Sequence, residues 1–217
     1  MEILRNNTYK INQKNLANGL NLLSKINDNT ISVTFFDPQY RGVLDKLNYG
    51  NEGKIRGKAR CALHQMDDET IKQFIKEIDR TLHPSGHLFL WIDKFHLCSG
   101  ITNWISETEL NIVDLVVWDK GKIGMGYRTR RKSEYLLVLQ KAPIKAKACW
   151  IDHSIPDVWE EKVVKVHPHS KPIELQRRLI AATTRKGDIV CDPAAGGYSV
   201  LDACRLADRD FIGCDIG

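Results

Sequence analysis

Residues 188–215 read DIVCDPAAGGYSVLDACRLADRDFIGCD, and this stretch decides the fold. It predicts a strand over Asp188–Cys191, a glycine-rich turn at 192–197, a helix over 198–207 and a strand over Phe211–Cys214. Asp215 follows the second strand, where an acid suits hydrogen bonds to ribose hydroxyls. Ligands of open α/β sheets bind beyond the carboxyl ends of the strands. The order strand, turn, helix, strand, acid therefore predicts a binding site for a nucleoside cofactor.

Strands and helices alternate along the rest of the chain as well. Further strands are predicted over Ile31–Phe36, His87–Ile92, Ile112–Trp118 and Tyr135–Leu139, the last two flanking a basic loop at 119–134. Helices are predicted over residues 16–26, from Asp67 up to Pro84-Ser85-Gly86, around Leu97–Ile105, and after Ser170-Lys171-Pro172. This alternation indicates an α/β fold with a mainly parallel sheet and helices on both faces. We expect one domain over residues 1–217, with the aperiodic segment 141–166 as its candidate insertion.

Composition narrows the class of protein. At 217 residues, with 42% hydrophobic and 27% charged residues, the chain can bury a sizeable core in one α/β domain. No apolar run approaches the ~20 residues that span a bilayer, and the N-terminus lacks a secretion signal, so we expect a cytoplasmic protein without membrane contact. The six cysteines form no Cys-x-x-Cys pair, and His167 and His169 have no second ligand cluster beside them. We expect neither a disulfide framework nor a metal.

Two segments concentrate the positive charge. Residues 41–60 carry six Lys or Arg against Asp45 and Glu52, and residues 119–132 carry six against Asp119 alone. The whole chain has a net charge of only +5, so the remainder is acidic. Basic charge confined to loop-like segments suits a polyanion such as nucleic acid. Ordinary solvated loop charge is the alternative.

The tetrapeptide Asp37-Pro38-Gln39-Tyr40 ends the predicted strand Ile31–Phe36 and suggests a reaction. The amino group of an aromatic base is a poor nucleophile because its lone pair is delocalised into the ring. A carboxylate and a backbone carbonyl that accept its two N–H bonds would favour a pyramidal nitrogen, ready for in-line attack on a sulfonium methyl. Tyr40 offers a face on which an extruded base stacks. An ordinary Asp-Pro turn after a strand is the alternative.

Four motifs in this order resemble the amino-methyltransferases of DNA, in the permuted arrangement called the beta class. Their places in the chain are Asp37-Pro38-Gln39-Tyr40, the strand–loop–strand from Trp118 to Glu134, His167-Pro168-His169-Ser170-Lys171-Pro172, and Asp192–Gly197 with Phe211–Asp215. The resemblance covers nearly the whole chain. It implies the Rossmann-like fold of S-adenosylmethionine-dependent methyltransferases and methyl transfer to an exocyclic amino group in double-stranded DNA.

The resemblance also implies site residues. The catalytic motif is Asp37, Pro38, Gln39 and Tyr40. The residues implied at S-adenosylmethionine are Asn15, Ser170, Lys171, Pro172, Asp192, Pro193, Ala194, Ala195, Gly196 and Asp215. The basic residues implied at DNA are Arg41, Lys54, Arg56, Lys58, Arg60, Lys122, Arg128, Arg130 and Arg131, positioned for phosphates or, for an arginine, for guanine. Segment 141–166 occupies the place of a short target-recognition region, which a homodimer or a companion subunit would extend.

The target base and the activity itself have alternatives. Asp at the first motif position is more typical of adenine than of cytosine enzymes in this family, so we expect adenine, with amino-cytosine as the nearest alternative. Gln39 stands where relatives have Pro, and Tyr198 stands where many have a second Gly, so the cofactor loop is expected to differ locally. These departures leave open a non-catalytic subunit that binds DNA or cofactor.

Overall fold

One mixed sheet organises the part of the chain that the computed structural model describes, namely residues 3–5, 8–39, 66–124, 128–163 and 171–216. Its strands are β1 Asn15–Leu16, β2 Ile31–Phe36, β3 Leu82–Ile92, β4 Leu110–Gly124, β5 Arg131–Lys141, β6 Val158–Glu160, β7 Ile189–Asp192 and β8 Asp210–Asp215. The helices are α1 Gly19–Leu23, α2 Asp68–Thr81, α3 Lys94–Ser99, α4 Thr102–Ile105, α5 Ile173–Thr183 and α6 Ser199–Ala207. The strand order is β1-β8-β7-β2-β3-β5-β4-β6.

The predicted α/β class is confirmed. Strands β1, β8, β7, β2 and β3 run parallel, and β6 pairs in parallel with β4, whereas β5 is antiparallel to both β3 and β4. Helices α1 and α2 pack on one face, around Leu22, Phe74 and Ile78. Helices α5 and α6 pack on the other, around Leu179 and Leu201. Because both faces are covered, the central strands β2 and β7 are largely apolar and almost wholly buried.

Helix α2 begins where the sequence predicts and ends earlier. Asp67 caps it, accepting a hydrogen bond from the backbone N–H of Thr70 at 2.8 Å. The helix stops at Thr81, and Pro84-Ser85-Gly86 lies inside β3, so the prediction that this turn ends the helix is wrong. Between the pairs Ile31–Leu82 and Val33–His87, β3 has three more residues than β2. The extra residues form an irregularity, and there Ser85 has a φ of 66°.

The predicted loop 119–134 is also wrong, and the predicted helix 16–26 is confirmed only over α1, Gly19–Leu23. Strands β4 and β5 form an antiparallel hairpin whose pairs continue to Asp119–Ser133 and Gly124–Arg131, so most of that loop is strand. Leu16 lies in β1 and is 81% exposed, and α1 begins only after Asn18, whose side chain accepts hydrogen bonds from Leu20 and Asn21. In both places strand pairing overrides the local pattern, with the next strand of the chain in the hairpin and with the distant β8 at Leu16.

Segment 141–166 is described as far as residue 163 and is attached to the sheet. Its strand β6 extends the sheet edge by pairing Val158–Glu160 with Val117–Asp119. Trp150, Trp159 and Val163 pack on the face that carries α5 and α6. Among the described residues, no helix combines the length and the apolar composition needed to cross a membrane.

Candidate active site

Three carboxylates meet at one edge of the sheet. Asp37 follows β2, Asp192 ends β7 and Asp215 ends β8, and these strands are parallel neighbours. Burial raises the pKa of Asp192 well above its usual value, and the charges of Asp37 and Asp215 raise it further. The raised pKa is the electrostatic consequence of placing one buried carboxyl between two others. Because β2 and β7 are parallel neighbours, the two Asp-Pro strand ends, at Asp37 and Asp192, lie at the same edge of the sheet.

The glycine-rich turn after β7 is fastened to β8 by its backbone. The N–H of Ala195 donates to the carbonyl of Cys214 at 3.0 Å, and the N–H of Gly196 donates to Asp215 Oδ2 at 3.0 Å. Gly196 has a φ of 47°, in the left-handed region that favours glycine. At Gly213 an added Cβ would lie 2.5 Å from the carbonyl oxygen of Asp192, so only glycine lets the two strand ends approach this closely.

Tyr198 adopts a glycine-like backbone conformation at the position where many relatives have a glycine. Its φ is 60°, so the backbone keeps the left-handed conformation that glycine adopts easily. The tyrosine ring is buried against Phe211, and its hydroxyl donates to the carbonyl of Asn15 at 2.8 Å. The side chain thus ties the turn to β1.

The segment around Asn15 lies along β8, beside this turn. The N–H of Ala17 donates to the Asp215 carbonyl at 2.9 Å, and an added Cβ at Gly19 would lie 2.1 Å from the Pro193 carbonyl oxygen. The Asn15 side chain itself is used structurally, donating to the Gly213 carbonyl at 2.9 Å and exchanging hydrogen bonds with the backbone of Lys10. Asn15 therefore shapes this edge through both its side chain and its backbone.

Lys171 joins Asp37 to the hairpin formed by β4 and β5. Its Nζ lies 3.0 Å from Asp37 Oδ2, 3.0 Å from Glu134 Oε2 and 4.5 Å from the centroid of the Trp91 ring. Burial disfavours the ammonium, but the two carboxylates raise the pKa of Lys171 to about 12. Burial also opposes the charged form of Glu134, but Lys171 and Lys120 lower its pKa to about 2. Lys171 and Glu134 therefore stay charged at physiological pH.

Glu161 holds the start of α5, the helix that follows Lys171 and Pro172. Pro172 is the N-cap residue and makes no side-chain capping bond. The Glu161 carboxylate caps the helix instead, accepting hydrogen bonds from the backbone N–H of Glu174 at 3.1 Å and of Leu175 at 3.0 Å. Its backbone carbonyl also accepts from Trp118 Nε1 at 2.9 Å.

The predicted site residues lie at the common edge, on the hairpin or outside the described residues. Asp37, Pro38, Lys171, Pro172, Asp192–Gly196, Asp215 and the backbone of Asn15 lie at the common edge. Gln39 follows Pro38, and its carbonyl accepts from the Met66 N–H at 2.7 Å. Tyr40, Arg41, Lys54, Arg56, Lys58, Arg60 and Ser170 lie outside the described residues.

The predicted DNA-binding residues of the hairpin lie towards its far end. Lys122, Arg128 and Arg130 are exposed, and Arg131 is half-buried. Lys120 and Lys132, which also contribute to the basic charge, are paired with Glu134 at 3.3 Å and with Asp119 at 2.5 Å. Part of the positive charge counted in the sequence is therefore neutralised at the base of the hairpin.

Sequence reasoning did not identify three residues that shape this site, Glu134, Trp91 and Glu161. Glu134 lies in the strand–loop–strand motif, and its acid within a basic stretch was the available signal. Trp91 and Glu161 gave no local signal, because their partners are distant in the chain. Among the described residues, no group of three or more His, Cys, Asp and Glu side chains is arranged to hold a metal.

The site's charge suits S-adenosylmethionine. Among the described residues, three carboxyl groups lie at this edge, and the Lys171 ammonium is paired with one of them, Asp37. A ligand with a sulfonium and an ammonium would reduce the mutual repulsion that raises the pKa of Asp192. Asp215, half-buried at the end of β8, has the chemistry that binds ribose hydroxyls. The donor set therefore fits this cofactor.

Comparison with known proteins gives the family. The DNA methylase family model matches residues 31–217. The Type II methyltransferase M.HhaII of Haemophilus parahaemolyticus is 60% identical over 208 residues, covering 95% of this chain and 91% of that protein.

Solved structures give the same fold. The crystal structure of the M1.HpyAVI–SAM complex has a TM-score of 0.66 at 17% identity, covering 94% of this chain and 93% of that one. The cytosine-N4-specific PvuII DNA methyltransferase has a TM-score of 0.69 at 14% identity, covering 94% and 82%. At these identities the likeness shows the fold alone. With the family match and the close relative, it establishes that the chain belongs to the S-adenosylmethionine-dependent DNA amino-methyltransferases, whose family covers the adenine-N6 and cytosine-N4 types.

Proposed function

We propose that this methyltransferase acts at a defined site in double-stranded DNA and that its target is the N6 amino group of adenine. One observation carries the proposal: Asp37, the first residue of the catalytic motif, stands at the end of β2 beside Asp192, with Oδ2 held by Lys171 at 3.0 Å. Among the described residues, Oδ1 of Asp37 has no hydrogen-bond or ion-pair partner. The carboxylate is thus fixed on one side and open to a substrate on the other.

The proposed roles follow the motif. Asp37 and the carbonyl of Pro38 accept hydrogen bonds from the two N–H groups of the target amino group. The nitrogen lone pair then points towards the methyl donor. Tyr40 stacks on the extruded base, and Gln39 adds an amide contact near it. S-adenosylmethionine supplies a methyl group on a sulfonium. Because Lys171 stays protonated, it orients Asp37 and takes no proton from the substrate.

The proposed cofactor site is the turn between β7 and α6 with its neighbours. Asp215 binds the ribose hydroxyls, and Asp192 to Gly196 line the nucleoside through their backbone. The segment around Asn15 closes the adenine side, since it runs beside the turn. Ser170, Lys171 and Pro172 border the methionine end. The support is that these segments meet at one edge, where three carboxyl groups of the described residues lie.

The β4–β5 hairpin is the proposed DNA-binding element. By register Asp37 lies about level with Trp91, Leu136 and Val116, and β4 runs on past Trp118 to Gly124. Between the pairs Trp118–Glu134 and Gly124–Arg131, β5 advances by three residues, so at ~3.3 Å each the hairpin extends about 10 Å beyond Trp118. A two-stranded ribbon fits a DNA groove, and Lys122, Arg128 and Arg130 would neutralise phosphates along it. The basic residues between 41 and 60 are proposed to do the same.

Within segment 141–166, we propose that the later part recognises the target sequence. Ala148, Cys149 and Ile151 border a cavity of about 140 Å³ together with Ser32, Gly86 and Asp188, at the opposite end of the sheet from Asp37. From residue 155 the segment returns through β6 towards the active edge, where Glu160 pairs with Asp119. Because so few residues reach that edge, a homodimer or a companion subunit would supply the remaining readout. Action on DNA also supports the proposed cytoplasmic location.

The product identifies the base. Unmethylated DNA is incubated with labelled S-adenosylmethionine, digested to nucleosides and separated by mass. Label in N6-methyldeoxyadenosine is expected, and label in N4-methyldeoxycytidine would show amino-cytosine specificity instead. If cofactor binds but no label is transferred, the chain is a non-catalytic subunit and the proposal fails.

A further inference from the structure

We propose that Glu134 is a positioning residue of the methyl-transfer site, and that through Lys171 it holds the Asp37 carboxylate in the orientation that accepts the target amino group. The inference rests on the proposed function, in which Asp37 is that acceptor. Glu134 stands on β5, within the base of the hairpin, and is separated from Asp37 by the Lys171 side chain.

Three groups hold the Lys171 ammonium in place. Asp37 Oδ2 and Glu134 Oε2 each lie 3.0 Å from Nζ, and the Trp91 ring lies below it with its centroid at 4.5 Å. The ammonium, which has three N–H donors, therefore contacts two carboxylates and the face of one aromatic ring. The side chain is only 15% exposed, so water competes little for these donors.

Glu134 is itself fixed. Its backbone pairs with Trp118 on β4, and its second oxygen, Oε1, lies 3.3 Å from Lys120 Nζ. The carboxylate bridges two ammonium groups, so it cannot rotate without breaking one ion pair. Through this bridge, the hairpin that is proposed to bind DNA is connected to the acceptor carboxylate.

Asp192 explains why the ammonium needs the second carboxylate. Lys171 lies within electrostatic reach of Asp192, which is buried beside Asp37. Without the charge of Glu134, the ammonium is free to move towards Asp192 and to draw away from Asp37. Glu134 thus decides which of the neighbouring acids Lys171 orients.

The test is Glu134→Gln, which keeps the size of the side chain and removes its charge. Glu107→Gln is the matched control, because Glu107 is a surface glutamate paired with a lysine, Lys76, away from the site. Steady-state methylation gives kcat and KM, calorimetry gives the affinity for S-adenosylmethionine, and a crystal structure gives the distance from Lys171 Nζ to Asp37 Oδ2. Glu134→Asp restores the charge on a shorter side chain.

The expected result is a fall in kcat of up to about 100-fold, the size that loss of orientation produces. KM and cofactor affinity remain equal to those of the Glu107→Gln control. The crystal structure shows Lys171 separated from Asp37 Oδ2, and Glu134→Asp has an intermediate kcat. A kcat equal to that of the control overturns the inference, as does an unmoved Lys171 or a loss that cofactor affinity explains fully. If Glu134→Gln does not fold, Glu134→Asp decides, since full activity there refutes positioning. A wild type that methylates no DNA would refute the proposed function as well.

Discussion

Replacing Glu161 with alanine removes the side chain that holds the beginning of α5. Its carboxylate accepts hydrogen bonds from the backbone N–H of Glu174 at 3.1 Å and of Leu175 at 3.0 Å. The same carboxylate accepts one from Trp159 Nε1 at 2.8 Å. Since Pro172 provides no capping side chain, alanine at 161 leaves both helix N–H groups without their acceptor.

The magnitude follows from these contacts. Loss of a helix cap costs about 1–2 kcal/mol. Loss of the indole hydrogen bond costs about 1 kcal/mol more. The free energy of unfolding should therefore fall by about 2–3 kcal/mol, the sum of the two contributions. For a chain of this size each kcal/mol shifts Tm by roughly 2–4 °C, so Tm should fall by about 4–12 °C.

Urea unfolding and thermal melting measure this effect. Glu160→Ala is the control, because Glu160 is the exposed neighbour on β6. Glu161→Gln keeps one acceptor oxygen and should lie between wild type and alanine. If Glu161→Ala melts together with the Glu160→Ala control, Glu161 does not hold α5 and the argument is refuted.

Three further predictions concern pH, the buried acid and salt. Burial lowers the pKa of His87 from 6.5 to about 4, so below pH 6.5 the unfolded chain binds a proton that the folded chain refuses. Unfolding free energy should fall by about 3 kcal/mol as the pH drops from 6.5 to 4, and urea titrations should show this loss abolished in His87→Phe. Asp192→Asn should raise the Tm of the cofactor-free protein, because it removes a carboxyl whose pKa burial raises, and calorimetry should show weaker S-adenosylmethionine binding. Arg128→Ala with Arg130→Ala should make the slope of log affinity for DNA against log salt shallower by about 2, one for each phosphate contact, and an unchanged slope would contradict the hairpin's role.

Local patterns predicted the elements that carry the chemistry. The run Ile31–Phe36 is apolar and ends at Asp-Pro, and the structure has β2 over those same residues. The Asp192–Gly197 turn and Asp215 also lie where the sequence places them, because each follows directly from a strand end. Asp67 caps α2 as expected, since capping needs only neighbouring residues.

Contacts between distant residues could not be predicted in this way. Asp37, Glu134 and Lys171 meet although they come from three remote parts of the chain. The outer part of the hairpin is polar and lacks a strand's alternation, so it resembled a loop; pairing between β4 and β5 forms it. Strand β6 has only three residues, too few for a period, and Glu161 caps a helix that begins twelve residues later.

The central claim is that Asp37 accepts a hydrogen bond from the amino group that receives the methyl. Its most direct test is single-turnover transfer of labelled methyl to unmethylated DNA by wild type, Asp37→Ala and Asp114→Ala, an exposed aspartate on β4 that serves as control. The account predicts label in methyladenine with wild type and Asp114→Ala, and none with Asp37→Ala although S-adenosylmethionine still binds. Transfer by Asp37→Ala at the wild-type rate would contradict it.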